Sequence, residues 1–393
     1  MPGSQTTRCC SAVALIACCS IAFAAKPAPP LSLFPVRPVW TLPLNNLLTT
    51  LPAYDGPRAY FPIEGDRIAA YDLISGALQW IVSAKPTLPL TAGGAMLYYV
   101  AADTVTALRS SDGGIAWELP FTEPLATHLV YDNGWLVAAT TGGSIIAFRA
   151  LDGSTIWRHE VGSKANAPPA LAADHLYVST TDGRIVALDV ADGGQVWERR
   201  LGGAPNEILA LQDRLYAGSK DNFLYCLMAK DGRIDWRWRT GGDVIGTPVA
   251  DEHRVYFVSV DNTLRALDRV NGGQRWMRSL PLRPTWGPVK AGGTLVVAFQ
   301  APSVRVFNLS DGVAAGEVAE GAEVAAPLYA LDDPLTRLPM VLAITRDMAN
   351  GAGATLVTRN IEPLISPIGP LPNPVTLAPT LPMDPESKQS TTR

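Results

Sequence analysis

The sequence predicts an all-β fold, an eight-bladed β-propeller built from four-stranded antiparallel blades. Three observations lead to this. A motif of one small residue, an Asp-Gly-type turn and a tryptophan recurs about every 40 residues. Short alternating strands and further turns fill the interval between copies. No stretch carries sustained helical periodicity. A period near 40 with four strands per unit is the signature of a propeller blade.

The copies run Ala70 to Trp80, Ala107 to Trp117, Ala147 to Trp157, Ala187 to Trp197, Cys226 to Trp236 and Ala266 to Trp276. Their turn glycines are Gly76, Gly113, Gly153, Gly193, Gly232 and Gly272. A seventh copy starts at Val306 and keeps the turn at Gly312, but has Gly316 where the tryptophan belongs. Glycine accepts the positive φ of a tight hairpin turn, so an Asp-Gly or Asn-Gly pair between apolar runs marks a hairpin. The small residue leaves room on a crowded strand, and the tryptophan is expected to lie between its blade and the next. These tryptophans are therefore structural docking residues rather than an aromatic ligand box.

The blade count follows from closure. Trp40 precedes Trp80 by one repeat length and stands alone. Val324–Leu331, Pro339–Arg346 and Gly353–Arg359 read as three strands with no fourth. Pairing the Trp40 strand with them gives an eighth blade and removes the open sheet edge.

Outside the repeats the chain reads differently. Residues 1–24 form an exported-protein leader, with an apolar run from Cys9 to Phe23 too short to span a bilayer. Two processing readings stand side by side. Ala22-Phe23-Ala24 fits the small-residue cleavage pattern of a soluble secreted protein. Leu15-Ile16-Ala17-Cys18 fits a lipobox, with Cys18 as the lipidated mature N-terminus. Residues 25–38 are proline-rich and read as a tether, 39–362 as the propeller, and 363–393 as a proline-rich disordered tail.

Composition narrows the function. Hydrophobic residues at 47% are enough for a core, which excludes a wholly disordered chain. Lys+Arg 32 against Asp+Glu 36 gives net charge -4, so no basic field favours nucleic acid as a partner. His128, His159, His175 and His253 are scattered without metal-ligand spacing, and no G-x-S-x-G or P-loop motif occurs. The motif aspartates are turn residues. Arg199 and Arg200, and Arg237 and Arg239, follow motif tryptophans and read as solvated. Cys226 occupies a motif alanine position and reads as a small core residue.

The A-x-D-x-x-[DTS]-G-x-x-x-W repeat resembles the tryptophan-docking repeat of quinoprotein-type (PQQ-like) propellers over roughly residues 40–360. Within that superfamily, chain length, exported start and blade count resemble the lipoproteins that assist outer-membrane-protein assembly. The resemblance implies a non-enzymatic protein-binding scaffold, periplasmic and attached to the outer membrane through its lipid, with partners in a β-barrel assembly complex. It also implies a partner-binding loop bearing leucines and an arginine. The aligned stretch, Glu160–Ala167, has no leucine and only Lys164 as a cation, so those roles are not carried over. The alternative within the superfamily is a quinone-binding enzyme or sensor. Its vicinal disulfide has no counterpart in the repeats, because Cys9-Cys10 and Cys18-Cys19 lie in the leader. The expectation is thus no catalytic residue, no cofactor and no metal.

Partner binding is expected on loops, where propellers vary. The least repeat-like loops are Arg278–Pro288 and Asp332–Pro339. Arg283 and Trp286 are the candidate anchors, since arginine and aromatic residues dominate interface energetics. The competing reading packs Trp286 over the seventh blade, in compensation for the tryptophan lost at Gly316.

Overall fold

The computed structural model describes residues 30–211, 213–319, 321–347 and 351–360. The leader with Cys18 and the tail at 363–393 lie outside the described residues. The described residues from Leu31 to Asn360 fold as one compact unit. It forms eight separate antiparallel sheets in ring order. Seven of them are built from four consecutive strands, as in Ala170–Ala172, His175–Ser179, Arg184–Asp189 and Gln195–Arg200. The motif tryptophan lies on the fourth, outermost strand.

The eighth blade closes the ring as expected. Its outer strand is Val36–Pro43, paired with Gly351–Arg359, which pairs in turn with Pro339–Asp347. Trp40 therefore stands in the outer strand of the last blade. The inner strand is split into Glu323–Val324 and Tyr329–Asp332, both pairing with Pro339–Asp347.

The motif has a register explanation. In each of the first six blades the small residue is the direct cross-strand partner of the tryptophan: Ala70 of Trp80, Ala107 of Trp117, Ala147 of Trp157, Ala187 of Trp197, Cys226 of Trp236 and Ala266 of Trp276. Next to each pair the register shifts, and the residue ahead of the tryptophan is extra. The Trp40 strand shifts in the same place, between Pro38 and Trp40. A bulge twists the strand and re-aims its side chains. Here it turns the indole toward the next blade.

Seven tryptophans make the same contact there. Each indole N–H donates to the carbonyl three residues before the next blade's turn glycine: Trp40 to Leu73, Trp80 to Ser110, Trp117 to Ala150, Trp157 to Val190, Trp197 to Ala229, Trp236 to Arg269 and Trp276 to Leu309, at 2.6–3.1 Å. Six of the rings, those of Trp80, Trp117, Trp157, Trp197, Trp236 and Trp276, cover the next turn glycine. A Cβ at Gly232 would stand 2.4 Å from the Trp197 ring, and φ there is +66°. Glycine is required twice over, for the positive φ and for the ring's close approach.

A second repeat runs along the inner strands. Each is interrupted near its start, with isolated bridges such as Leu125 to Thr140, Ala165 to Thr180 and Pro284 to Phe299 ahead of the main pairing. Pro52, Pro89, Pro169, Pro248, Pro288 and Pro327 stand at or just before the resumption. Proline brings no ladder donor, so it suits such breaks.

The boundary of the tether needs correction. Residues 25–38 read as lying outside the fold, yet Leu33 is 1% exposed and Ser32 bridges Gly292. The propeller proper begins at Leu31 because Leu33 and Phe34 offer apolar surface to the joint between the seventh and eighth blades.

Candidate partner-binding face

Alternating strand direction sorts the connections onto two faces. One face carries the second-to-third-strand turns and the long links from each outer strand to the next inner strand. This is the loop face. The other carries the inner hairpin turns and the motif turns. The chain enters the outer strand of the eighth blade at Val36 and leaves the neighbouring strand at Arg359, two residues that are paired. Both ends of the described chain therefore emerge on the turn face.

The turn face consumes its aspartates locally. Asp112, Asp152, Asp192, Asp231 and Asp311 each accept the backbone N–H two residues on, at 2.7–3.0 Å. Among the described residues no group of three His, Cys, Asp or Glu side chains converges as a metal site would require. Cys226 is buried, and burial pushes its thiol up to about 12. Burial also lowers the pKa of His128, partly opposed by the Glu207 carboxylate.

On the loop face the predicted segment Arg278–Pro288 splits. Leu280 is buried and its N–H bonds to Asn262 O. Leu282 is 43% exposed, Arg283 is exposed, and the Arg283 carbonyl accepts the Gln300 N–H. Among the described residues Arg283 makes no ion pair, so its guanidinium is presented to solvent. Trp286 goes elsewhere. It is half-buried and packs on the cluster of Leu33, Val296, Val324, Leu328 and Val341 between the seventh and eighth blades, and its indole nitrogen is shielded without a partner. The two candidate anchors do not share one exposed patch. Nor does Trp286 fill the place vacated at Gly316: the ring of Phe34 lies there, 2.2 Å from where a Cβ would stand.

The cations after motif tryptophans also divide. Arg237 and Arg239 are exposed, and Arg237 lies over the Phe223 ring at 4.9 Å. Arg199, expected to be solvated, instead donates to Gly232 O across the blade joint at 2.9 Å.

Three ion-pair networks on this face were not foreseen. Arg158 grips Glu123 with both guanidinium nitrogens and also binds Glu160 and Ser144. Arg184 joins Asp182, Glu198 and the Val161 carbonyl. Arg265, 9% exposed, binds Asp261 at 2.9 Å, with Ser259 and Thr263 completing its shell. Burial opposes the charged form of Asp261, but bonds from Arg265, Ser259 and Thr263 outweigh it and hold the carboxyl at about 2. Such networks satisfy these groups: the first two brace a turn against neighbouring segments, and the third stiffens its own hairpin. Arg158–Glu160, Arg184–Asp182 and Arg265–Asp261 are two to four residues apart, whereas Arg184–Glu198 and Arg158–Glu123 are 14 and 35 apart and meet only through the fold. A cavity of about 190 Å³ opens on the same face at ring closure, lined by Leu48, Thr50, Leu51, Ala325, Arg346 and Ala352.

Comparison with known proteins places this architecture. The family model described as outer membrane protein assembly factor BamB matches residues 36–124, 101–211 and 208–327, more than half of the chain. The chain belongs to the BamB family. A curated relative, outer membrane protein assembly factor BamB of Nitrosomonas eutropha, is 26% identical over 133 residues, which is 33% of this chain and 32% of that protein. The match therefore spans about a third of the relative's length. The crystal structure of BamB from Moraxella catarrhalis superposes with a TM-score of 0.65 at 19% identity, covering 82% of this chain and 99% of that one. A quinohemoprotein alcohol dehydrogenase of Pseudomonas putida superposes with a TM-score of 0.63 at 12% identity, over 88% of this chain and 78% of that one. These two likenesses establish the fold alone.

Proposed function

We propose that this protein is a non-enzymatic scaffold outside the cytoplasm that holds protein partners during assembly of outer-membrane proteins, and that it does so through its loop face. The observation that carries the reading is the family match along residues 36–327, which spans the loops of the first seven blades. Leu282 and Arg283 supply an apolar side chain and an uncommitted guanidinium side by side on that face. Such pairs suit a protein surface better than a small-molecule site. Trp286 acts in packing, not as an anchor.

Both ends of the described chain lie on the turn face, which supports this arrangement. With Cys18 lipidated, the chain leading to the anchor would join the propeller at Val36 on the turn face, opposite the loop face. Intact-mass analysis of the mature protein reads the anchor directly: an N-terminus at Ala25 without lipid removes this part of the proposal.

The test of the binding surface is a Leu282→Ala, Arg283→Ala double variant in the full chain. Crosslinking in membranes should lose partner capture by about tenfold, while the thermal midpoint stays within a degree or two, because neither side chain is buried. Retained capture with unchanged folding would move the binding surface elsewhere.

A further inference from the structure

At seven joints of the ring a tryptophan indole bonds to the carbonyl ahead of the next blade's turn glycine, and at six of them its ring covers that glycine. The joint between the seventh and eighth blades lacks both parts. Gly316 replaces the tryptophan, and the eighth blade has no motif turn, because its third and fourth strands come from opposite ends of the described chain. The segment Leu31–Pro35 occupies this gap. Leu33 is buried, and the Phe34 ring lies on Gly316. The backbone of the segment is held at almost every residue. Gly293 N–H donates to Leu31 O at 2.8 Å, and Leu33 N–H to Thr294 Oγ1 at 3.4 Å. Arg359 Nη1 donates to Ser32 O at 2.5 Å and to Phe34 O at 2.9 Å, and Asn360 N–H to Pro35 O at 2.7 Å.

We propose that Leu31–Pro35 is a separable wedge bound in a peptide-accepting groove on the turn face, and that Phe34 is the aromatic of the eighth joint, delivered by the strap instead of by an outer strand. Gly316 is then not a decayed tryptophan position but the floor of the Phe34 slot. A side chain at 316 and the Phe34 ring exclude one another. The groove recognises its occupant through backbone carbonyls plus two apolar side chains, Leu33 and Phe34. That is the recognition chemistry of a short extended peptide. Because the strap precedes the Val36–Pro43 strand, it can leave without unzipping that strand. Its departure bares the joint of blades seven and eight alone.

A double-mutant cycle in the full chain tests the exclusion. Phe34→Ala and Gly316→Trp should each lower the denaturation midpoint, the first by emptying the slot and the second by collision. The double variant should be more stable than either single variant, since the new indole enters the vacated slot. Hydrogen exchange tests separability. In Phe34→Ala the amides of residues 294–308 and 339–346 should exchange at least about tenfold faster, with the first five blades unchanged. Additive losses in the cycle, or an acceleration spread evenly around the ring, would overturn the proposal.

Discussion

Trp197 offers the sharpest energetic test of the docking joints. Its side chain is 9% exposed, it covers Gly232, its N–H reaches Ala229 O at 2.8 Å, and the Tyr177 ring lies 5.8 Å away. Trp197→Ala removes all of these at once. Truncating a buried aromatic costs about 3–5 kcal/mol, a range that already contains the lost contacts and the residual cavity. The nearly complete burial places this site in the middle, at about 4 kcal/mol. The orphaned Ala229 carbonyl adds to the cost only where water cannot reach it. The assay is equilibrium denaturation of the variant beside the parent, with hydrogen exchange to locate the damage. Faster exchange should be confined to residues 184–200 and 214–234, on the two sides of the joint. A loss below about 1 kcal/mol, or exchange rising far from this joint, would refute the claim that each tryptophan holds only its own pair of blades.

Acid should act on the Asp261–Arg265 brace. The carboxyl of Asp261 is held at about 2, below its ordinary value of 3.8. A depressed carboxylate contributes stability that is complete above about pH 4 and lost as pH falls through about 2, on the order of 1 kcal/mol after solvent screening. Asp261→Asn should flatten the stability profile across that window, and an unchanged acid limb counts against the brace. Cys226, buried with its thiol raised to about 12, should resist alkylation in the folded protein at pH 8 and react fully in denaturant; rapid labelling of native protein would show that the fifth blade opens.

Much of the fold was readable from residue order because its determinants are local. Asp-Gly turns, the small residue opposite each tryptophan and the tryptophan itself lie within one hairpin, so each repeat announces its own two outer strands. Trp40 was legible for the same reason: its distance from Trp80 is one repeat, whatever lies between. The inner-strand prolines, at Pro52, Pro89, Pro169, Pro248, Pro288 and Pro327, are a further repeated signal, present in six of the eight blades.

The functional face was less legible. Arg283 and Trp286 stand three residues apart in one irregular loop, and sequence offers no means of separating them. The tertiary structure sends one to solvent and the other into the joint of blades seven and eight, because the Arg283 carbonyl accepts the Gln300 N–H and the Thr285 N–H donates to the Ala298 carbonyl, which fixes the chain between them. Arg158 and Arg184 reach Glu123 and Glu198 through the fold, across 35 and 14 residues, which composition does not reveal.

By itself the sequence determined the repeat, the blade count and the closure of the ring by its own N-terminal strand, since hairpin turns and docking tryptophans encode their contacts within or one repeat beyond the unit that carries them. Only the tertiary structure decided what fills the joint that lacks a tryptophan. Phe34 and Gly316 are 282 positions apart, and nothing local in either residue points to the other. Their contact exists because ring closure brings the two ends of the propeller together, and the apolar strap is buried where the repeat leaves a gap.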